Sequence, residues 1–194
     1  MRPVPRSFYR RDSRLVAPEL LNKVLVAGAR SGRIVEAEAY CGAEDPGSHA
    51  YRGMTRRNAT MFGPAGHLYV YFTYGMHWCA NAVCEKEGIA HAVLLRGLAP
   101  LSGLEAMRAA RWTRGQLVQR DRDLCRGPAR LCQALGLTGE HDGADVVRGD
   151  RGVRVMDDGV PPPGTPGVSV RIGLNAGAEH PWRFFVAGDP HVSR

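Results

Sequence analysis

The sequence predicts an α+β fold, with one mixed domain around a curved, mostly antiparallel β-sheet and flanking helices. Short segments of alternating apolar and polar residues recur along the chain, separated by turns that contain glycine and proline. Two segments in the second half, residues 101–112 and 125–137, have apolar residues at helical spacing. Because 194 residues suffice for one substantial core but are few for two, we expect a single domain spanning residues 1–194.

The first 16 residues are rich in arginine and proline and predict an amino-terminal arm. A short helix should follow around residues 18–22, because Pro18 suits a first helical turn. Residues 23–28 (KVLVAG) then predict a strand, and a turn leads into a second strand at residues 32–40, GRIVEAEAY.

That second strand is the most informative segment of the first half. Its alternation predicts a core face and a face with two carboxylates and a tyrosine; the first comprises Val35, Ala37 and Ala39, the second Ile34, Glu36, Glu38 and Tyr40. A polar strand face is usually solvated. Here it leads directly into a loop with Gly, Pro, Asp and His, which favours a functional site.

Residues 41–66 are too polar to form one regular element, although residues 55–61 predict a short helix. Loops of this length are uncommon in compact domains and tend to be functional, the alternative being a disordered surface loop. Three arginines in it, Arg52, Arg56 and Arg57, are candidates for phosphate contacts.

Two tyrosine-containing segments predict a β-hairpin. Residues 67–73 alternate around Tyr69 and Tyr71, residues 77–83 form the second strand, and Tyr74 lies with Gly75 in the turn between them. An exposed tyrosine at such a tip suits insertion into a stack of bases. Ordinary aromatic packing explains the pattern equally well.

Residues 91–97 (HAVLLRG) predict a buried strand that ends in Arg96, a position from which arginine usually reaches solvent but can instead orient an acid. A charged segment at residues 114–123 precedes the second helix, which has Pro128 near its start and Gly136 at its end. Its first turn, with Arg126 and Arg130, is a candidate phosphate site. Residues 152–159 predict a short hairpin arm, and residues 168–175 and 182–188 predict closing strands.

Composition narrows the function class. A net charge of +7 indicates an acidic partner, nucleic acid first. Phosphate-loop, GxSxG and dinucleotide motifs are absent, and the two lysines, Lys23 and Lys86, lie in no convincing site for Schiff-base chemistry. The five cysteines show no zinc spacing and suit small buried thiols in a reducing cytosol. With no apolar run of about 18 residues and no signal-like start, we expect a cytoplasmic protein that does not insert into a membrane.

An acidic strand face, tyrosine strands, a loop histidine and a basic surface together suit base excision. A base inside a duplex must be rotated out of the stack before its bond to the sugar can be attacked. Aromatic faces then hold the base, cations grip the phosphates and a carboxylate activates water. Glu36 and Glu38 share a predicted face, so the pattern alone does not choose between them.

Five separated blocks occur in order along residues 20–193: VEAEAY, MFGPAGHLYVYFTYGM, HAVLLRGLAPLSGLEAMR, CRGPARLCQAL and RFFVAGDPHVS. Through these blocks the chain resembles the alkyladenine (3-methyladenine) DNA glycosylase family. The resemblance implies that Glu38 activates the attacking water and that Arg96 helps to hold this water. It also implies that Tyr40 and Tyr71 stack on the flipped base, with His49 on its other side.

The same resemblance implies further roles. The His49 backbone N–H would probe the base edge, Asn81 would discriminate against the amino group of guanine, and Tyr74 would fill the vacated stack. The family is monofunctional and requires no metal or organic cofactor. The implied partner is double-stranded DNA with damaged purines (3-methyladenine, 7-methylguanine, hypoxanthine or ethenoadenine), and the implied reaction initiates base excision repair in a bacterial-type protein active at the nucleoid. Because the predicted site is built within one chain, we expect a monomer. Cationic alkylated purines would gain from an electron-rich tyrosine sandwich.

Two other functions fit the same residues. A non-catalytic damage-sensing module would bind lesion DNA with steep salt dependence, and Glu38→Gln would change nothing but affinity. An enzyme acting on a small anionic nucleotide would use the pocket without the inserted tyrosine, so Tyr74→Ala would leave turnover of a free nucleoside unaffected.

Overall fold

The structure is a computed structural model that describes residues 1–112 and 118–193; part of the charged segment 114–123 lies outside these residues. The described strands are β1 (Arg2–Pro3), β2 (Val24–Ala27), β3 (Arg30–Cys41), β4 (Leu68–Thr73), β5 (His77–Cys84), β6 (His91–Ser102), β7 (Val153–Asp157), β8 (Gly167–Ser169) and β9 (Arg183–Phe185). The described helices are α1 (Arg6–Tyr9), α2 (Ser13–Leu20), α3 (Leu104–Ala110) and α4 (Pro128–Leu135). All of the described strands belong to one curved sheet in which every pair is antiparallel, so the predicted α+β class is confirmed.

Strand β3 is the centre of this sheet. One of its edges pairs with β6 from residue 31 to residue 41, and the other edge pairs first with β2 and then with β9. The order continues outward from β6 to the β5 and β4 hairpin, and from β2 to β7 and β1. A strand with neighbours on both edges has its backbone hydrogen bonds satisfied, which fixes the side chains that β3 presents.

One face of the sheet is the main hydrophobic core. Alternate residues of β3, β4, β5 and β6 pack there against α2 and α4. The predicted core residues Ala37 and Ala39 lie in it, but Ile34 lies there too, rather than with the glutamates as the alternation predicted. The cause is an irregular register in β3, where Val35 has no partner on β6 between Ile34 and Glu36. An inserted residue moves the preceding side chain to the opposite face.

The predicted amino-terminal arm is folded onto the sheet. Arg2 and Pro3 pair with β7, and Val4 and Tyr9 are buried. Helix α2 begins at Ser13, earlier than the predicted helix at residues 18–22, and its N-cap is an aspartate, Asp12, that accepts a hydrogen bond from a backbone amide in the first turn. The composition of this segment predicted an amino-terminal arm. The segment instead packs against the sheet, because Val4 and Tyr9 are buried and Asp12 caps α2.

Other elements also differ in extent from their predictions. Strand β6 continues to Ser102, which places Arg96 in its middle instead of at its end. The helix predicted at residues 55–61 is a single turn at Ala59–Phe62, and the predicted closing strand at residues 168–175 is limited to β8, which ends at Ser169. The predicted hairpin arm at residues 152–159 contributes β7, which lies between β1 and β2 inside the sheet.

Helix α4 agrees with its sequence signals. Pro128 occupies its first turn, and Gly136 follows it in the left-handed conformation with φ of 72°. Proline lacks the amide that would be unsatisfied at the start, and glycine adopts positive φ without a steric penalty. Among the described residues, no helix is long and apolar enough to cross a membrane.

Candidate active site

The opposite face of the sheet brings the predicted site residues together through strand register. Tyr69 on β4 pairs with Asn81 on β5, Asn81 pairs with Leu94 on β6, and Leu94 pairs with Glu38 on β3. These four side chains form one row across four strands. Residues two positions along the same strands, including Tyr71 and Tyr40, share this face because side chains alternate.

A cavity of about 240 Å³ opens over this face. Six of the predicted site residues line it: Tyr40, His49, Tyr71, Tyr74, Asn81 and Arg96. Its other lining residues are Gly47, Met61, Tyr69, Thr73, Cys79, Leu94, Pro128, Ile172, Gly173 and Leu174. The lining thus combines aromatic rings with a few polar groups, as binding sites for small planar molecules do.

Glu38 lies behind this lining and is fully buried. Its Oε1 accepts a hydrogen bond from the Ile172 amide at 2.8 Å, and its Oε2 accepts from the Tyr40 hydroxyl at 3.0 Å and from Arg96 Nη1 at 3.3 Å. Burial raises the pKa of Glu38 despite the opposing effect of Arg96. The carboxylate is therefore a stronger base than an exposed glutamate and is held in one orientation.

Arg96 connects Glu38 to the second glutamate of the strand. Its Nε donates to Glu36 at 3.0 Å, and it lies at the register irregularity where β6 faces Glu36 and Ala37. Such a bulge redirects a side chain, here between two carboxylates. Although burial opposes its charge, the two carboxylates raise the pKa of Arg96, which keeps it cationic.

Glu36 is fully buried and has more hydrogen-bond partners than Glu38. It accepts from Arg96 at 3.0 Å, from Arg183 at 2.7 Å, and from the amide and hydroxyl of Ser193 at 2.7 and 2.8 Å. Burial alone would raise the pKa of Glu36, but the Ser193 amide and the two arginines hold it below its usual value. Strand alternation alone left the choice between the two glutamates open, and the family resemblance implied Glu38 as the base. In the structure Glu36 is the ionised anchor of Arg96.

The aromatic wall consists of Tyr69, Tyr71 and His49. The two tyrosine rings stack with centroids 5.3 Å apart, and His49 contacts Tyr71 edge-on at 4.5 Å. His49 Nδ1 lies 3.1 Å from the Tyr69 hydroxyl, and burial with help from Arg57 lowers the pKa of His49, which favours its neutral form. As the rings stand, no base fits between His49 and Tyr71, so any stacking of His49 opposite Tyr71 requires a shift of its side chain.

Asn81 is buried on the floor of the site. Its Nδ2 donates to the Tyr69 carbonyl oxygen at 3.0 Å, so the amide orientation is fixed by the neighbouring strand. This hydrogen bond uses one N–H of the Asn81 amide. The second N–H and the oxygen belong to a side chain that lines the cavity.

The β4–β5 turn projects Tyr74 from the rim of the cavity. Tyr74 is 80% exposed and has φ of 51°, and Gly75 follows with φ of 65°. The Met76 amide closes this turn on the Thr73 carbonyl oxygen. A bulky residue rarely adopts positive φ, so the turn holds the exposed Tyr74 in a backbone conformation that is unfavourable for its side chain.

The predicted phosphate-binding arginines occupy two places. Arg52, Arg56 and Arg57 are exposed on the loop before β4, where Arg57 donates to the Phe72 carbonyl oxygen and lies 5.9 Å from the Tyr71 ring centroid. Near the start of α4, Arg130 is exposed, whereas Arg126 Nε donates to the Val192 carbonyl oxygen at 2.7 Å.

A possible set of metal ligands lies elsewhere, where Asp12, Cys41 and His91 place ligand atoms within 4.8 Å of one another. Asp12 already caps α2 and forms an ion pair with Arg14 at 2.5 Å, and the Ser13 amide donates to His91 Nδ1 at 3.4 Å. Burial raises the pKa of the Cys41 thiol to about 11. These contacts fit a structural cluster rather than a ligand set, and none of its members lines the cavity.

Sequence reasoning missed three groups of the site. Tyr69 could have been found, since it alternates with Tyr71 on one strand. The Ile172 amide carries no side-chain signal, and it lies beyond the end of β8. The third group is a fully buried ion pair between Arg171 and Asp45, which joins two segments 126 residues apart. No local pattern predicts such a contact.

Comparison with known proteins places the chain in a family. The model of the methylpurine-DNA glycosylase family matches residues 7–190 of the chain. The chain belongs to the methylpurine-DNA glycosylase family. Its predicted resemblance to the alkyladenine (3-methyladenine) DNA glycosylases is thereby confirmed.

Named relatives agree over nearly the full length. A Burkholderia cenocepacia protein named "Putative 3-methyladenine DNA glycosylase" is 57% identical over 98% of this chain and 90% of its own length. Proteins of the same name from Streptomyces avermitilis and Chlorobaculum tepidum are 46% and 43% identical, over 98% and 100% of this chain and 91% and 92% of their own lengths. Family membership makes the chain a DNA glycosylase, an enzyme that cleaves N-glycosyl bonds in DNA.

Proposed function

We propose that the chain is a monofunctional glycosylase that flips alkylated or deaminated purines out of duplex DNA and hydrolyses their N-glycosidic bonds with a water activated by Glu38. The substrates are 3-methyladenine, 7-methylguanine, hypoxanthine and ethenoadenine, and the reaction initiates base excision repair. The observation that carries the proposal is the fully buried Glu38 carboxylate, fixed by three donors behind an aromatic cavity.

The chemistry follows from the hydrogen bonds of Glu38. A carboxylate accepts about four hydrogen bonds, and three donors contact Glu38 among the described residues, so Oε1 retains capacity for a water. The water oxygen bonds to C1′ of the sugar while its proton passes to Glu38. The bond from C1′ to the base breaks, and the base leaves with the bonding electrons. The raised pKa of Glu38 favours this proton transfer.

Each of the other residues has a distinct task. Arg96 holds Glu38 and, with it, the attacking water. Tyr40, Tyr71 and His49 bind the faces of the base, with the His49 amide at its edge, and Asn81 disfavours the amino group of guanine. Tyr74 fills the vacated stack, for which its exposure suits it. The exposed arginines of the loop and of α4 contact the phosphates.

The test compares base release by the wild type and by Glu38→Gln from duplexes that contain hypoxanthine or 1,N6-ethenoadenine. We expect release by the wild type, and at least a hundredfold slower release by the variant with binding retained, because general base catalysis contributes about 10²–10⁴-fold. Binding by both proteins without release by either would leave a damage-sensing module. Equal release by both would remove Glu38 from the mechanism.

The lack of a strand break in the same reaction, after release of the base, would mark the enzyme as monofunctional. Because the whole site is built within one chain, we propose that the enzyme acts as a monomer. A stable dimer in sedimentation at the concentrations of the activity assay would contradict this.

A further inference from the structure

A buried cation lies against the ring of Tyr40. The Cζ atom of Arg171 is 4.6 Å from the centroid of this ring and 5.0 Å from that of Trp182. Tyr40 lines the cavity, whereas the Arg171 side chain does not and is completely buried. The guanidinium therefore lies between two aromatic rings on the side of Tyr40 that faces the protein interior.

Four hydrogen bonds hold this guanidinium through its two Nη atoms, whereas its buried Nε has no hydrogen-bond partner among the described residues. Its Nη1 and Nη2 donate to the two oxygens of Asp45 at 2.5 and 2.7 Å, and to the carbonyl oxygens of Ala39 and Gly177 at 3.0 and 2.8 Å. A Cβ atom on Gly47 would lie 2.9 Å from Nη2, and one on Gly177 would lie 3.1 Å from it. The backbone thus approaches as closely as glycine permits, and planar arginine suits such bidentate, stacked contacts.

The cation changes what the other face of Tyr40 can bind. An aromatic face attracts a cation because its quadrupole is negative there. A guanidinium already held against one face uses part of this attraction and repels a second positive charge across the ring. A neutral base still stacks on Tyr40 through dispersion and area burial. The expectation that the tyrosines favour cationic bases therefore does not extend to Tyr40.

We propose that Arg171, acting through Tyr40, is a specificity-determining residue that disfavours positively charged bases relative to neutral damaged purines. The inference rests on the proposed function and refines its substrate class. Asp45 offsets part of the guanidinium charge, so the balance within this ion pair sets the degree of discrimination.

The test is the ratio of single-turnover release rates from duplexes that contain 7-methylguanine, a cationic base, or hypoxanthine, a neutral one. Arg171→Gln removes the cation, and we expect the ratio of cationic to neutral release to rise about tenfold, in line with a desolvated cation–π contact. Asp45→Asn leaves the cation uncompensated and should lower the ratio. The double variant, Arg171→Gln with Asp45→Asn, should raise the ratio of cationic to neutral release. Arg171→Lys keeps the charge and should leave this ratio within about twofold of the wild-type value.

Substitutions of the two members of the ion pair should shift the release ratio in opposite directions. This result separates a role in base specificity from a purely structural role. A purely structural pair would slow release of both bases alike, and an unchanged ratio in a folded Arg171→Gln, Asp45→Asn or double variant would overturn the proposal. Thermal melting identifies the folded variants. A folded Arg171→Gln, Asp45→Asn or double variant suffices, because each of these has an expected direction.

The same variants are also compared in the Glu38→Gln background by the equilibrium affinities for the two duplexes. A shift in the affinity for the 7-methylguanine duplex relative to the hypoxanthine duplex, in the direction predicted for the release ratio, would support the role of Arg171 even without catalysis. Failure of wild-type release would instead count against the proposed function alone. Unchanged relative affinities would overturn the inference.

Discussion

Two glutamates that lie two residues apart on β3 have opposite electrostatic environments. Burial outweighs the favourable contacts of Glu38, so its pKa is raised, whereas hydrogen bonds and two arginines outweigh burial at Glu36, so its pKa is lowered. Such divergence of two nearby carboxylates is typical of a site where one acts as a base and the other as a fixed anion.

The raised pKa of Glu38 predicts the acidic limb of the pH–rate profile. Glu38 must be ionised to accept a proton, so single-turnover release of hypoxanthine should fall as the pH drops through a value above 4.5, the ordinary value for glutamate. Circular dichroism at each pH checks that the protein remains folded. A limb at or below 4.5 would contradict the assignment of Glu38 as the base.

The same environments predict stability changes of opposite sign. A raised pKa means that ionised Glu38 costs stability, so Glu38→Gln should stabilise the protein at neutral pH by about 0.5–2 kcal/mol, as removal of a strained functional group often does. Glu36→Gln leaves Arg96 and Arg183 short of a buried partner and should destabilise it by about 3–5 kcal/mol.

Thermal melting as a function of pH tests this pair of variants, each of which controls for the other. The gain from Glu38→Gln should appear as the pH rises through the raised folded-state pKa and vanish below about 4.5. The loss from Glu36→Gln should be full above 4.5 and shrink as the pH falls through its lowered pKa. Changes of the same sign at neutral pH would refute these electrostatic assignments.

At the scale of elements, the β4–β5 hairpin combines a rigid base with a strained tip. Its first strand, β4, carries Tyr69 and Tyr71 into the site, and its turn holds Tyr74 at positive φ. Strand register determines where the pocket residues lie, whereas the turn determines what protrudes from the rim. These are separate functions of one supersecondary unit.

Tyr74→Gly separates conformational strain from function. Glycine adopts positive φ freely, so the variant should be as stable as the wild type or more so. It should nevertheless release hypoxanthine from a duplex at least tenfold more slowly, because nothing then fills the vacated stack, while release from a single strand changes little. Tyr51→Ala, which removes another exposed aromatic ring, is the matched control and should not affect duplex release. A loss with Tyr51→Ala but not with Tyr74→Gly would assign the insertion to the loop.

At the scale of the whole molecule, the net charge of +7 and the exposed arginines predict binding that weakens with salt. Each phosphate contact contributes about 0.9 to the slope of log K against log salt concentration. Arg52→Ala and Arg56→Ala should each reduce the slope by nearly one, and equally for damaged and undamaged duplexes. Arg57 is unsuitable for this test, because it also contacts Phe72 and Tyr71.

Arg148→Ala serves as the control for this measurement. Its side chain is 84% exposed, but it lies next to Asp145 rather than along the cavity, and its loss should leave the slope unchanged. Titrations across a range of salt concentrations provide the slopes. Equal slopes for all of the variants would exclude the loop arginines from the DNA interface.

The sequence by itself determined the fold class, the strands that carry the site and, through its blocks of resemblance, the family. Local signals suffice for the fold class and the strands: alternation on β3 and β4, a proline and a glycine at the ends of α4, and tyrosine and glycine in a hairpin turn. The resemblance, rather than these local signals, named the six predicted residues that line one cavity. The roles of these residues in catalysis and binding stay predictions.

Only the tertiary structure decided how the polar groups meet. Alternation could not place Ile34 in the core, because a register irregularity with β6 moves it there, nor place Arg96 in mid-strand between two carboxylates. The anchoring of Glu36 by Ser193 and the stacking of Arg171 on Tyr40 join segments more than 100 residues apart. Charge and hydrogen bonding act through space, so a pKa or a buried ion pair depends on neighbours that no local sequence pattern specifies.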